Sequence, residues 1–230
     1  MSEINWPAIM PSYEDMLRAG IHYGRKKTVR HPKMDSFIYA LKDAIHLINI
    51  FKTEEKLKEA AEFVKKTKES GGTVLWVALT KHSEEKIIGI ADLLGMPYIK
   101  NRWLGGILTN FKTMQGRIKY YKEMKEKWAS QEFMGKLTKK EKHDMEKEIR
   151  LLREKFDGLE RMTKLPDVIF LSSLRKGGLP LREAKKTGIK TIAISNTESD
   201  PTMVDYPIPA NDNARQSVEL ILETIRKALI

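Results

Sequence analysis

The chain has 230 residues, 41% of them hydrophobic and 32% charged, a composition typical of a globular protein that buries a sizeable core. Lys and Arg number 42 against 31 Asp and Glu, giving a formal net charge of +11. Such an excess favours a polyanionic partner, nucleic acid or an anionic membrane, although a merely soluble basic protein would share it. The absence of cysteine excludes disulfides, thiolate zinc sites and cysteine nucleophiles.

The N-terminal residues contain no basic stretch followed by an apolar run, so the sequence predicts no secretory signal. No window reaches the roughly 18 apolar residues that a membrane-spanning helix needs. We therefore expect a cytoplasmic protein without a membrane partner.

The first 70 residues predict two short strands between two helices. Residues 21–34 are polar and basic and show no periodicity. Thr53 is the predicted N-cap of the second helix, because Glu54 and Glu55 follow it at the positive end of the helix dipole. The predicted elements are a helix over 13–19, strands over 37–40 and 44–50, and a helix over 53–70.

Strands and helices then alternate, which predicts an α/β fold with a doubly wound, mostly parallel sheet. The run TVLWVAL at 73–79 is almost wholly apolar, as in a strand covered on both faces. We expect residues 1–111 and 163–230 to form this core. The predicted strands are 73–79, 96–100, 167–171, 191–195 and 206–208, and the predicted helices are 83–94, 179–187 and a last one capped by Asn211 or Asp212 and ending at Leu229.

Residues 112–162 differ in composition, with 15 Lys and Arg, 10 Asp and Glu, no proline and no strand-like run. Thr138 and Glu141 form a capping box, so two long helices joined near 129–137 would make a hairpin inserted between the halves of the core. The hairpin either packs only on itself or docks a protein partner. Its predicted seam consists of Ile118, Tyr121, Met124, Trp128, Met145, Ile149 and Leu152.

Catalytic motifs are missing from the sequence: it has no P-loop, no G-x-G-x-x-G after a strand and no G-x-S-x-G. The five histidines are scattered without metal-ligand spacing. We predict no catalytic residue, no metal and no cofactor. One enzyme-like feature is the loop 172–178, which lies between a strand and a helix, where such folds bind ligands. Its glycines are typical of an ordinary tight turn. The loop could alternatively bind the phosphate of a small molecule or, through Arg175 and Lys176, a phosphate of RNA.

The most basic segment is 17–34, which holds six Lys and Arg, two histidines and no acid. Such cations contact phosphates, and Tyr23 can stack on an unpaired base. A solvated loop is the alternative. A second candidate is 100–106, where Arg102 and Trp103 would face RNA, or where Trp103 would instead be buried at the root of the hairpin.

The residues NRWLGGILTNFKT at 101–113 closely resemble the signature of the bacterial small-subunit ribosomal protein 2 family. Further motifs agree in order, and the match runs from about Tyr13 to the C-terminus. They are ML-x-AG-x-HYG at 16–24, PKM at 32–34, IHLIN at 45–49, LPD at 165–167, NT-x-SDP at 196–201 and IP-x-ND at 208–212.

This resemblance implies a flavodoxin-like sheet with a projecting coiled-coil hairpin, and a structural protein, not an enzyme, bound to small-subunit ribosomal RNA. It also implies neighbouring small-subunit proteins as partners, including the large mRNA-binding one where that protein exists. The predicted RNA-binding residues are Arg18, His22, Tyr23, Arg25, Lys26, Lys27, Arg30, His31, Lys33, Asn101, Arg102, Trp103, Asn110, Lys112, Arg175 and Lys176.

Two departures from the family pattern matter. Arg25 stands where family members commonly carry histidine, which keeps or increases the positive charge. Relatives usually carry acids in the loop at 172–178, and these can join the aspartate that matches Asp200 to hold a metal ion. Here Ser172 and Ser173 stand instead, and we predict no metal site.

Overall fold

The computed structural model describes residues 5–100, 102–135 and 137–230, which form helices, strands and short 3-10 turns. The helices are α1 (Trp6–Ile9), α2 (Tyr13–Arg18), α3 (Ile50–Glu69), α4 (Lys81–Leu94), α5 (Phe111–Ala129), α6 (Gln131–Gly135), α7 (Lys139–Phe156), α8 (Gly178–Thr187) and α9 (Arg215–Leu229). The strands are β1 (Tyr23–Lys26), β2 (Ile38–Lys42), β3 (Ile45–Ile48), β4 (Val74–Val77), β5 (Tyr98–Ile99), β6 (Val168–Leu171), β7 (Lys190–Ser195) and β8 (Tyr206–Pro209).

A parallel sheet of five strands, in the order β5-β4-β6-β7-β8, forms the centre of the molecule. The chain runs from β4 outward to β5 and later returns to the other side of β4 as β6, so the direction of winding changes between β4 and β6. The prediction of an α/β fold on a parallel sheet is confirmed, and this strand order is compatible with double winding.

The central strands are buried on both faces, as their continuous apolar sequences predict. On one face Trp76 and Phe170, whose rings lie 5.0 Å apart, join a core that includes residues of α3, α4 and α9. On the other face Leu75 and Ile169 join a core that includes residues of α5, α7 and α8. The alternation of side chains along each strand thus divides the interior into two layers.

A second, antiparallel sheet in the order β1-β3-β2 precedes the parallel one. The two short strands predicted over 37–40 and 44–50 are confirmed as β2 and β3, which pair antiparallel through a turn that holds Asp43 and Ala44 at positive φ. Strand β1 lies in the segment for which no element was predicted. Its sequence YGRK has no apolar alternation, and pairing with β3 makes it a strand.

Two helix starts differ from the sequence prediction. Helix α3 begins at Ile50, because the side chain of Asn49 accepts hydrogen bonds from the amides of Phe51 and Lys52. Thr53 lies within the first turn and donates instead to the carbonyl of Pro209, 2.6 Å away. Helix α9 begins at Arg215, with Ala214 at its N-cap position. Neither Asn211 nor Asp212, the two predicted cap residues, is therefore the cap.

Helices α5 and α7 pack on each other, and the predicted capping box of Thr138 and Glu141 is present. A short helix, α6, stands where a plain connection was predicted. The predicted seam residues are buried or half-buried, but they belong to the same core as one face of the parallel sheet. The boundary of the insertion at residues 112–162 therefore stays a prediction.

Substitution of Gly158 by alanine should destabilise the fold, since the new Cβ would lie 2.3 Å from the carbonyl oxygen of Tyr98. We expect the free energy of unfolding to fall by about 2–3 kcal/mol. The control is Gly116→Ala in α5, where an added Cβ meets nothing within 4 Å. That change should raise the free energy of unfolding by about 0.5–1 kcal/mol. Urea unfolding measures both, and equal stabilities of the two variants would contradict this packing.

Candidate nucleic-acid interface

The crevice between the carboxyl ends of β4 and β6, where doubly wound folds bind ligands, is filled by the chain's own polar groups. Ser172 accepts hydrogen bonds from the amide of Leu79 at 2.9 Å and from the hydroxyl of Ser83 at 3.0 Å. Ser172 and Ser83 are completely buried. The position that an enzyme of this class would use for a cofactor is thus part of the packed interior.

Asp212 completes this buried network and is only 2% exposed. Its carboxylate accepts from the hydroxyl of Ser173 at 2.6 Å and from the side-chain amide of Asn196 at 3.0 Å. A buried acid of this kind is tolerated because each oxygen has a donor. Ser172 and Ser173 are therefore both engaged in hydrogen bonds inside the protein.

The residues present do not fit a metal ion at this position. Hydrogen bonds from Lys33 and Thr202 engage Asp200 and hold the pKa of its carboxyl well below its ordinary value. Ser172 and Ser173 supply neutral hydroxyls that already have partners. Within residues 5–100, 102–135 and 137–230, no three His, Asp or Glu side chains are grouped so that they could hold a metal.

Gly177 is closely packed in the loop from β6 to α8, where a Cβ would lie 2.9 Å from the side chain of Leu171 and 3.2 Å from the carbonyl oxygen of Leu174. Packing thus explains this glycine without a bound phosphate. The two cations of the loop, Arg175 and Lys176, are exposed.

Arg175 and Arg25 meet on one carboxylate. Glu198, whose side chain is 7% exposed, lies 2.6 Å from Nη2 of Arg25 and 3.0 Å from Nη1 of Arg175. The amide of Arg25 also donates to the hydroxyl of Thr197 at 2.8 Å. Two predicted RNA-binding residues that are far apart in sequence are thereby held on one surface.

Carboxylates pair with four of the six cations of segment 17–34. The absence of acids within the segment does not leave all six charges unpaired, because Glu14 and Asp35 lie just beyond its ends and folding brings Glu198 and Asp200 to it from elsewhere in the chain. Lys26 and Lys27 are exposed and without an ionic partner among the described residues. The pairs are Arg18 with Glu14 at 3.8 Å, Arg25 with Glu198, Arg30 with Asp35 at 3.0 Å, and Lys33 with Asp200 at 2.8 Å.

The aromatic residue of the segment is accessible. Tyr23 is 49% exposed, and its ring lies 4.0 Å from the ring of His22. Burial lowers the pKa of His22, which favours its neutral form. His31 is half-buried, with Nε2 3.9 Å from the carboxylate of Asp200. Tyr23 thus presents an accessible ring on the same strand as Lys26.

The root of the hairpin is organised by Glu183, which is 5% exposed. Its carboxylate accepts from Nε1 of Trp103 at 3.0 Å and from the amides of Gly106 at 2.8 Å and Leu108 at 3.0 Å. The amide and hydroxyl of Thr109 lie 3.3 Å away. These hydrogen bonds fix the loop before α5 against helix α8.

Trp103 is 6% exposed, so its indole lies in the core, as the alternative interpretation of the sequence held. Its assignment to RNA contact is therefore corrected to a positioning residue. Arg102, Asn110 and Lys112 remain exposed around the same root. Asn101, the fourth predicted polar residue, lies outside the described residues.

Sequence analysis missed the two acids that build these sites. The burial of Glu183 could have been predicted, because this residue lies on the buried side of an amphipathic helix, between Arg182 and Ala184. An acid at such a position requires donors from another segment. The role of Glu198 could not have been predicted in this way, since only the tertiary fold brings its partners Arg25 and Arg175 to it.

These features define an α/β protein on a parallel sheet, with a filled ligand crevice and a basic surface. Across the described parts of the chain, no helix combines the length and apolarity needed to cross a membrane. The model of the family described as ribosomal protein S2 matches residues 16–230, so the chain belongs to that family. It is accordingly a structural, non-enzymatic protein.

Relatives from several bacteria, each called small ribosomal subunit protein uS2, resemble the chain over most of its length. The protein of Coprothermobacter proteolyticus is 40% identical over 217 residues, covering 94% of this chain and 81% of its own. That of Fusobacterium nucleatum is 38% identical, covering 95% and 89%. That of Thermus thermophilus is 38% identical, covering 91% and 81%.

Replacement of Glu183 by glutamine should destabilise the protein, because an amide group would face donors that now meet a carboxylate. We expect a loss of about 2–4 kcal/mol in the free energy of unfolding at neutral pH. The exposed Glu154→Gln in α7 serves as the control and should change stability little.

The loss should also depend on pH. Burial raises the pKa of Glu183, but hydrogen bonds from Trp103 and three backbone amides outweigh it and hold the pKa below its ordinary value of 4.5. A lowered pKa in the folded state stabilises the protein above pH 4.5 and ceases to do so as the pH falls through the folded value. Urea unfolding across that range should show the difference between wild type and E183Q narrowing in acid, and a constant difference would contradict the role of the charge.

Proposed function

We propose that this protein is a structural constituent of the small ribosomal subunit that binds ribosomal RNA and thereby supports translation. The observation that carries the proposal is the accessible group of Tyr23, Lys26 and Lys27, with Arg25 and Arg175 held beside them by Glu198. Membership of the ribosomal protein S2 family supports the same conclusion. The proposed location is the ribosome in the cytoplasm, and the partners include no membrane.

The contribution of each cation follows from its environment. Lys26 and Lys27 have no ionic partner among the described residues, so their charge is available to a phosphate and their binding would release counterions. Arg25 and Arg175 share a carboxylate, which reduces their net charge but fixes where their guanidinium groups lie. Arg30 and Lys33 are likewise paired, and they would bind RNA only with some exchange of partners.

The root of the hairpin supplies a second proposed contact. Arg102, Asn110 and Lys112 are exposed there, and Glu183 fixes the loop that carries them. The sequence predicts RNA contact for this stretch, and Asn101 belongs to the same proposal. Trp103 acts indirectly by anchoring the loop.

Replacement of Lys26 and Lys27, which have no ionic partner among the described residues, should weaken RNA binding more than replacement of Lys66 and Lys81. For Lys26→Gln with Lys27→Gln, we expect the plot of log affinity against log salt to become shallower by about 1.4–1.8, the value for two phosphate contacts. The control is Lys66→Gln with Lys81→Gln, which removes two exposed lysines from α3 and α4.

Filter binding to small-subunit ribosomal RNA over a range of salt concentrations measures both slopes. Equal slopes for the lysine variant and its control would count against this surface. A wild-type slope near zero would count against the proposed function as a whole.

We propose further that the sheet is flavodoxin-like and that α5 and α7 form a projecting coiled coil. Its exposed, charged surface would dock neighbouring small-subunit proteins, including the large mRNA-binding one where that protein exists. The buried residues of the two helices support this, because they face each other and the sheet and leave most of the lysines outward.

Lysine-directed crosslinking of intact small subunits tests the docking. We expect crosslinks from Lys119, Lys127 or Lys140, which are exposed on α5 and α7, to another ribosomal protein. Lys66 and Lys81 on the opposite layer provide the internal comparison. Crosslinks from that layer alone would contradict docking by the hairpin.

A further inference from the structure

Helix α8 presents an outward stripe of positive charge that the RNA surface described above does not include. Arg182, Lys185 and Lys186 are exposed, while Leu181 and Ala184 on the other side are buried. The spacing of three and four residues places the cations on one face of the helix. Lys176 and Arg175 lie in the loop just before α8 and are also exposed.

No nearby acid neutralises this stripe. The one acid within α8, Glu183, points inward and is fully engaged by the loop before α5. Two acids border the same face, but Asp205 lies 2.7 Å from Nζ of Lys190 and Asp200 lies 2.8 Å from Nζ of Lys33. Arg182, Lys185 and Lys186 have no ionic partner among the described residues.

Two surface grooves run along the sides of α8, and Arg182 and Lys185 line both. One groove, of about 660 Å³, has Gly105, Gly106 and the half-exposed Leu179 among its lining residues. The glycines have no side chains to hold a ligand away from the backbone. The other groove, of about 560 Å³, lies towards β7 and includes Lys190.

We propose that α8 is an additional RNA-binding surface, on which Arg182, Lys185 and Lys186 contact successive phosphates of a single strand or helix edge. The proposal rests on the proposed function and extends it to a second layer of the molecule. RNA fits better than an acidic protein segment because the groove lined by Arg182 and Lys185 also includes Asp200, which pairs with Lys33 of the basic segment 17–34. Contacts of cations with phosphates need no further complementary shape, whereas a protein partner would need one apolar centre, and here Leu179 and Met203 are exposed in two separate grooves.

The test compares R182Q/K185Q/K186Q with K66Q/K81Q/K227Q. Both triple variants remove three exposed lysine or arginine charges, so they change the net charge equally. The control residues lie on α3, α4 and α9, which pack on the opposite face of the parallel sheet. Binding is measured over a range of salt concentrations, both to small-subunit ribosomal RNA and to small subunits depleted of this protein.

We expect the α8 variant to bind both targets more weakly, with a salt slope shallower by about 2–3 than that of the control. Equal slopes for the two variants, with a steep wild-type slope, would overturn the α8 proposal and leave the proposed function standing. Weakened binding to depleted subunits with unchanged binding to RNA would assign α8 to a protein partner and also overturn it. Failure of the wild type to bind either target would overturn both proposals.

Discussion

The interaction on which helix α8 and the loop before α5 both depend is the burial of the Glu183 carboxylate. A charged group in the interior is costly unless donors surround it, and here the loop from Trp103 to Thr109 supplies them. This requirement ties α8 to the loop that leads into α5, although the two are remote in sequence. It also turns the cations of α8 outward, because the helix has to bury the side that carries Glu183.

The same principle recurs at two other acids. Glu198 gathers Arg25 and Arg175 on one surface, and Asp212 binds Ser173 and Asn196 at the end of the sheet. In a chain with a net charge of +11, an acid such as Glu198 decides which cations are held in pairs, whereas Glu183 and Asp212 accept from neutral donors. The free cations are the ones whose charge a polyanion can use fully, since no internal pair has to be broken first.

The position at which this class of fold usually binds a ligand is filled by buried side chains in this chain. Doubly wound sheets commonly bind ligands where the winding changes direction, but in this chain Ser83 and Ser172 bond to each other there and are buried. The proposed RNA contacts lie instead on the outer surfaces of β1, the loop before α5 and α8. A shared architecture does not determine activity, and the difference lies in a handful of side chains at one end of the sheet.

The sequence by itself determined the α/β class, the buried parallel strands, the capping box at Thr138 and the family, because each depends on local periodicity, capping chemistry or a contiguous motif. It did not determine strand β1, which has no apolar alternation and is made by pairing with β3. Nor could it distinguish a Trp103 that faces RNA from one that is buried, since the deciding partner is Glu183, 80 residues away. The pairing of Arg25 and Lys33 was likewise decided only by the tertiary structure, which brings Glu198 and Asp200 beside them. Charge can be counted along a chain, but its neutralisation depends on distances that only folding sets.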